Sequence, residues 1–199
     1  MTDDSEDRLR ALEQELHFER RARQALVEAS VRLNSLLSLP ELLSVVMQTA
    51  TDLLEAETSS LMLLDESGRE LTFAVATGEP GQAVREQRVP SDKGIAGWVL
   101  GHGEPAIVDD VPGDARFYEA IDRGSDFQTH TMLAVPLKVR ERTIGVVEVI
   151  NKRGQRRFDA RDRELATALA ALAAGAIENA RLYRKLADAV VESRMSYRL

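Results

Sequence analysis

Hydrophobic positions change period several times along the chain. Leu9, Leu12, Leu16, Leu26, Leu33 and Leu37 recur on a 3–4 spacing, which predicts a coiled-coil-like helix over residues 1–38. The same seam carries Glu19, Arg23 and Ser30, so its middle is weak or serves to fix register. Pro40 suits the first turn of a second helix. In "ELLSVVMQTATDLLEA" the residues Leu42, Val45, Val46, Thr49, Leu53 and Leu54 form its expected apolar stripe. "SSLMLLD" and "RELTFAVA", separated by "ESG", read as a β-hairpin, and "QAVREQRVP" as an edge strand. "DKGIAGWVLGHGEP" predicts a short helix, "AIVDDV" a short strand, and residues 112–130 a helix with loops. "MLAVPLKVR" and "RTIGVVEVI" are the strongest strands, joined by a turn at Glu141-Arg142. From Asp159 to about Met195 the Ala- and Leu-rich pattern predicts one long helix.

This order gives an α+β fold around an antiparallel sheet rather than a βαβ repeat. In the last strand Ile144, Val146 and Ile150 alternate with Val147 and Val149, so both faces are apolar and both must be covered. Terminal helices on one face and the 92–130 excursion on the other leave room for a pocket under the excursion. The expected division is 1–38 for the N-terminal coil, 39–180 for the globular domain and 181–199 for a C-terminal helix extension.

Composition narrows the chemistry. The 199 residues contain no cysteine, which excludes disulfides, thiolate metal sites and thiol catalysis. A formal net charge of -7 opposes a general nucleic-acid grip. Lys152, Arg153, Arg156, Arg157, Arg161 and Arg163 therefore read as a solvated joint between strand and helix. No apolar run reaches a membrane-spanning length and no signal-peptide core opens the chain, so a cytoplasmic protein with no membrane contact is expected. His17, His102 and His130 are not spaced as metal ligands, and no catalytic constellation stands out. The expectation is a non-enzyme with no metal.

The segments "LPELLSVVMQTATDLLEAETSSLMLLD", "GIAGWVLGHGEPAIVDDVPGDARFYEAID" and "FQTHTMLAVPLKVRERTIGVVEVINK" together resemble a GAF domain over about residues 25–185. The resemblance implies a six-stranded antiparallel sheet flanked by helices, a ligand cavity, and a regulatory homodimer formed through long N- and C-terminal helices. Asn151, Lys152, Phe158 and Asp162 are similar to the structural motif of cyclic-nucleotide-binding members, in which lysine and aspartate pair; Arg163 stands where a glutamate is usual. By the same resemblance Ile95 and Ala96 meet a phosphate through their amides. Asp122, Ser125 and Thr129 recognise a base edge, and Glu148 faces the cavity. Without the resemblance, the glycines around Ile95 read equally as a tight turn, and Glu148 as a carboxylate paired at the sheet margin. Two further departures from the cyclic-nucleotide subtype stand out. No Phe-Asp pair occurs near Val75–Thr77, and Asp126 replaces a glycine. Two functions follow: a sensor of a small ligand, a cyclic nucleotide or related purine, or a ligand-independent dimerisation scaffold for a signalling partner such as a histidine kinase or cyclase.

Overall fold

The computed structural model describes residues 38–78, 84, 86–120, 127–154 and 156–196, with side chains described as far as Ala189. The coiled-coil expectation for residues 1–38 falls, but for Ser38, outside them. The elements run α1 (Leu39–Leu53), β1 (Ala56–Leu64), β2 (Glu70–Ala76), β3 (Arg88–Pro90), α2 (Gly94–His102), β4 (Ala106–Val108), β5 (Met132–Val139), β6 (Arg142–Lys152) and α3 (Ala160–Ser196). All paired strands are antiparallel, in the order β3-β2-β1-β6-β5-β4. β1 and β6 form the centre, and both of their faces are covered. Leu61, Leu133, Val135, Leu137, Val147 and Val149 pack against α1, Phe158 and α3 on one side. Met62, Leu71, Ala134 and Val146 pack against α2 and the 106–118 segment on the other.

Three local expectations change. The buried face of α1 is Leu43, Met47, Ala50 and Thr51, continued by Leu54, while Val45 and Leu53 are exposed. The helix carries two apolar stripes, and the one with the i, i+4, i+7, i+11 spacing from Leu43 meets the sheet. Ile144 lies on the helix side with Val147 and Val149, not with Val146 and Ile150. The cause is a β-bulge: Leu137 pairs with Gly145 but Lys138 pairs with Thr143, leaving Ile144 as the extra residue that shifts the alternation. The β5–β6 turn is Arg140-Glu141, one residue earlier than expected, with Arg140 at φ 54°.

Residues 111–120 form turns, with no helix among the described residues of 112–130. Short polar side chains satisfy the backbone locally there. Asp110 accepts from the Gly113 amide and Asp114 from the Arg116 amide, at 3.3 and 2.8 Å.

α3 starts on a reciprocal cap. Asp159 Oδ1 accepts the Arg161 and Asp162 amides at 2.8 and 3.0 Å, and Asp162 Oδ2 accepts the Asp159 amide at 2.9 Å. The Asp162 amide holds the Asp159 carboxyl below its ordinary range, with the Arg161 amide assisting.

Asp65 closes the β1–β2 turn in a similar way. It accepts from Ser67 Oγ at 2.5 Å and from the Arg69 and Glu70 amides at 2.9 and 3.0 Å. The Ser67 hydroxyl is the main cause lowering its pKa from 3.8 to about 2. A carboxyl depressed on folding stabilises above its unfolded value, and that contribution fades as pH falls through its folded value. The turn's contribution is thus whole above about pH 4 and is lost towards pH 2. NMR titration should place Asp65 well below the ordinary aspartate range, and Asp65→Asn should remove this part of the acid dependence. A midpoint near 4 would show that the turn bonds do not hold in solution.

Candidate functional site

The pocket face of β1 and β6 supplies the floor of a cavity of about 80 Å³. Thr58, Ser60 and Met62 alternate along β1, with Glu148 and Ile150 on β6. α2 closes one side with Ile95 and Ala96, and Thr129 and Phe127 enter just before β5. Of the residues singled out for ligand binding, the fold therefore brings Ile95, Ala96, Thr129 and Glu148 to one cavity. Asp122 and Ser125 lie outside the described residues.

Glu148 is the informative member. It is 8 % exposed and stands between the apolar Val147 and Val149 of β6, and Ser60 Oγ donates to its Oε2 at 3.2 Å. A buried carboxylate needs such donors to offset lost hydration. Thr129 is 4 % exposed. Ile95 and Ala96 are buried in the first turn of α2, whose backbone amides have no intrahelical partners. Lys93 occupies the N-cap without a side-chain cap and lines the cavity. A Cβ on Gly97 would meet Ser91 O at 2.9 Å and the Asp92 carbonyl carbon at 2.8 Å. That glycine therefore serves the tight turn into the helix rather than a close approach to a ligand.

Sequence reading missed the aromatic wall. Phe73, Phe117, Tyr118 and Phe127 all line the cavity. Phe73 gets there through a second bulge: Leu61 pairs with Val75 but Met62 with Phe73, which leaves Ala74 extra and exposed. The signal for Phe127 was present, since it stands two residues before Thr129. Trp98 is half-buried and does not line the cavity. Its ring stacks on His102 at 4.4 Å and receives the Arg116 guanidinium at 4.8 Å. Arg116 in turn grips Asp114 through Nε–Oδ1 at 2.9 Å and Nη2–Oδ2 at 2.7 Å, and the Arg116 guanidinium holds the Asp114 carboxyl below its usual range. This clamp fixes the segment that presents Phe117 and Tyr118. His130 is exposed and lies off the cavity.

At the end of β6, Asn151 takes a left-handed φ of 56°. Its Oδ1 accepts the His130 and Thr131 amides at 2.7 and 3.2 Å, and its Nδ2 donates to Glu57 Oε2 and Gln128 O, both at 2.8 Å. Lys152 Nζ sits 2.6 Å from Asp162 Oδ1, with side chains only 11 and 12 % exposed, and 5.6 Å from the centre of the buried Phe158 ring. Arg156 pairs with Glu55 and Arg157 with Asp109. Half of the basic cluster is thus neutralised within the fold, while Arg161 and Arg163 are exposed. Among the described residues, no group of histidines and acids is arranged to hold a metal ion.

The family model described as GAF domain matches residues 38–177. The chain belongs to the GAF family. GAF domains as a class are regulatory modules. Among curated relatives, the chain is 29% identical over 162 residues to the probable 3',5'-cyclic phosphodiesterase pde-5 of Caenorhabditis elegans, covering 77% of this chain and 22% of that protein. It is 33% identical over 109 residues to the dual 3',5'-cyclic-AMP and -GMP phosphodiesterase 11A of Takifugu rubripes, covering 50% of this chain and 12% of that protein. The chain thus spans less than a quarter of the length of either relative. Among solved structures, the GAF domain of a phosphoenolpyruvate-protein phosphotransferase from Coxiella burnetii superposes with a TM-score of 0.67 at 19% identity, covering 80% of this chain and 94% of that one. The GAF fold is therefore common to both, and here it is built on a six-stranded antiparallel sheet with one long C-terminal helix.

Proposed function

We propose that this GAF domain is a non-catalytic sensor. It binds a small ligand, a cyclic nucleotide or related purine, between the sheet and the 94–130 segment, and it passes occupancy to terminal helices paired in a homodimer. The observation that carries the reading is Glu148, a carboxylate on the floor of an otherwise largely apolar and aromatic cavity. A purine ring would lie against the aromatic wall and donate N–H to Glu148. A phosphate would face Lys93 and the amides of Ile95 and Ala96. Asp122 and Ser125 would complete the edge around Thr129. The cavity of about 80 Å³ is far below the roughly 300–1,000 Å³ of ligand-filled pockets, so binding must widen it.

The helix pairing draws support from exposed apolar residues. Leu172, Leu182 and Leu186 on α3 are 65, 53 and 49 % exposed, on a spacing compatible with a heptad seam, and Val45 and Leu53 on α1 are 52 and 58 % exposed. The output then passes to a signalling protein. No helix among the described residues is long and apolar enough to cross a membrane, in keeping with a cytoplasmic site of action. The narrow cavity also favours a second reading, a ligand-independent dimerisation scaffold for a partner such as a histidine kinase or cyclase.

Thermal unfolding with cGMP, cAMP, GMP and AMP separates the two. A ligand at 100 times its Kd stabilises by about 2.7 kcal/mol. For a domain of this size that is a rise of roughly 5–10 °C. The rise should disappear in Thr129→Ala and shrink in Glu148→Gln, which keeps shape but removes the charge. No rise with any nucleotide, in a protein that stays dimeric, would favour the scaffold.

A further inference from the structure

A chain of buried hydroxyls crosses the sheet from the cavity to α1. Thr58 lines the cavity and donates from Oγ1 to Thr77 O at 2.6 Å. Thr77 Oγ1 accepts the Ser59 amide at 2.9 Å and lies 3.1 Å from Thr51 Oγ1 on α1. Thr51 Oγ1 is 2.7 Å from Ser59 Oγ, and both reach Met47 O, at 3.0 and 2.9 Å. All four hydroxyl residues are buried.

Each hydroxyl has one proton to give and can accept more than one. Two arrangements of opposite sense are available among them. In one, Ser59 donates to Met47 O, Thr51 to Ser59 and Thr77 to Thr51. In the other, Thr51 donates to Met47 O, Ser59 to Thr51, and Thr77 to Ser59 O, 3.3 Å away. Both leave the buried oxygens satisfied, and they differ in whether Thr77 donates to Thr51 or to Ser59 O. Thr58 joins the cavity to this hydroxyl, donating to the Thr77 carbonyl at 2.6 Å with its Oγ1 3.4 Å from Thr77 Oγ1.

We infer that Thr58, Thr77, Ser59 and Thr51 form a two-state relay that couples the cavity wall to α1 on the opposite face of the sheet. This rests on the sensor reading for its biological use, since it supplies the step by which an occupied cavity reaches a terminal helix. Thr77 is a positioning residue in this relay, and Thr58 its contact with the cavity. Coupling of this kind needs an element with discrete alternatives that both ends bias, and the hydroxyl chain is one.

The test uses no ligand, so its failure is separate from failure of nucleotide binding. Amide hydrogen exchange is followed on the full chain. Rates at Thr51–Leu53 of α1 are referred to Ala166–Ala174 of α3, which report global opening. Thr58→Val should speed exchange at the end of α1 by about tenfold on that scale, the size of one lost hydrogen bond. The effect should persist in a Thr77→Ser background, which keeps the hydroxyl, and vanish in Thr77→Val, which keeps the shape. Thr51→Val, which cuts the chain at its other end, serves if Thr77→Val fails to fold. An effect confined to residues 75–78, or one that survives loss of the Thr77 or Thr51 hydroxyl, would overturn the relay.

Discussion

Asn151→Ala should destabilise the domain by about 3–5 kcal/mol, a large share of the roughly 5–15 kcal/mol that holds a domain folded. Two costs add. The residue sits at φ 56°, where asparagine is tolerated and alanine costs about 1 kcal/mol. Its side chain also satisfies four partners at a site only 5 % exposed. Each buried group left without a partner costs about 1–3 kcal/mol. Thermal unfolding should show a drop of roughly 10–15 °C. Asn151→Gly separates the terms: it removes the backbone strain but not the hydrogen-bond loss, so it should recover about 1 kcal/mol relative to alanine. Equal values for Ala and Gly would show that strain is not part of the cost, and a loss under about 1 kcal/mol in both would show that the network is not holding the segment. The site should respond as well. Asn151 anchors the backbone on both sides of Thr129, at Gln128 and His130, so the variant loosens a wall of the cavity even where the fold survives.

The elements that sequence reveals best are those with long apolar runs or a sustained helical pattern. β5, β6 and α3 each announce themselves, and the two apolar faces of β6 already require a covered sheet. The errors fall where two strands jointly decide the geometry. Ile144 changes face because of a bulge between β5 and β6, and Phe73 reaches the cavity because of one between β1 and β2. A period-two reading of one strand has no access to either. The α1 stripe failed for a related reason. Two apolar faces compete on that helix, and the buried one is selected by what it meets: Ser59 and Thr77 receive Thr51, a polar residue that hydropathy counts against burial. The strand-to-helix joint is more legible because its chemistry is local. An asparagine able to take a left-handed turn, a lysine, a buried aromatic and a capping aspartate stand close in sequence, and their partners lie mostly within one corner. The clamp of Arg116 on Trp98 was not legible, since nothing in either short segment indicates that the two meet.

Gly145→Ala should be more damaging than its single methyl suggests, with a cost of about 3 kcal/mol or more. Gly145 pairs with Leu63 on β1 and Leu137 on β5, beside the bulged Ile144. A Cβ there would stand 2.1 Å from Met62 O and 3.2 Å from Leu63 Cα. The obstacle is backbone in the central strand pair, not the tip of a flexible side chain, so β1 must move away from β6 to admit the methyl. That movement breaks ladder bonds in the middle of the sheet and displaces Met62, whose side chain lines the cavity. Gly175→Ala is the matched control. It lies within α3 with nothing inside 4 Å of a Cβ, so the helix should gain about 0.5–1 kcal/mol from the same substitution. Urea unfolding of the two variants should give opposite signs. Should Gly145→Ala cost under about 1 kcal/mol, the close approach of β1 and β6 at the bulge would be wrong, and with it the narrow floor of the cavity. Should it cost the full amount while a nucleotide stabilises the variant less than the unsubstituted domain at the same concentration, the ligand must need β1 and β6 in register on the cavity side. That is the mechanical requirement for a sensor whose floor is the centre of its sheet.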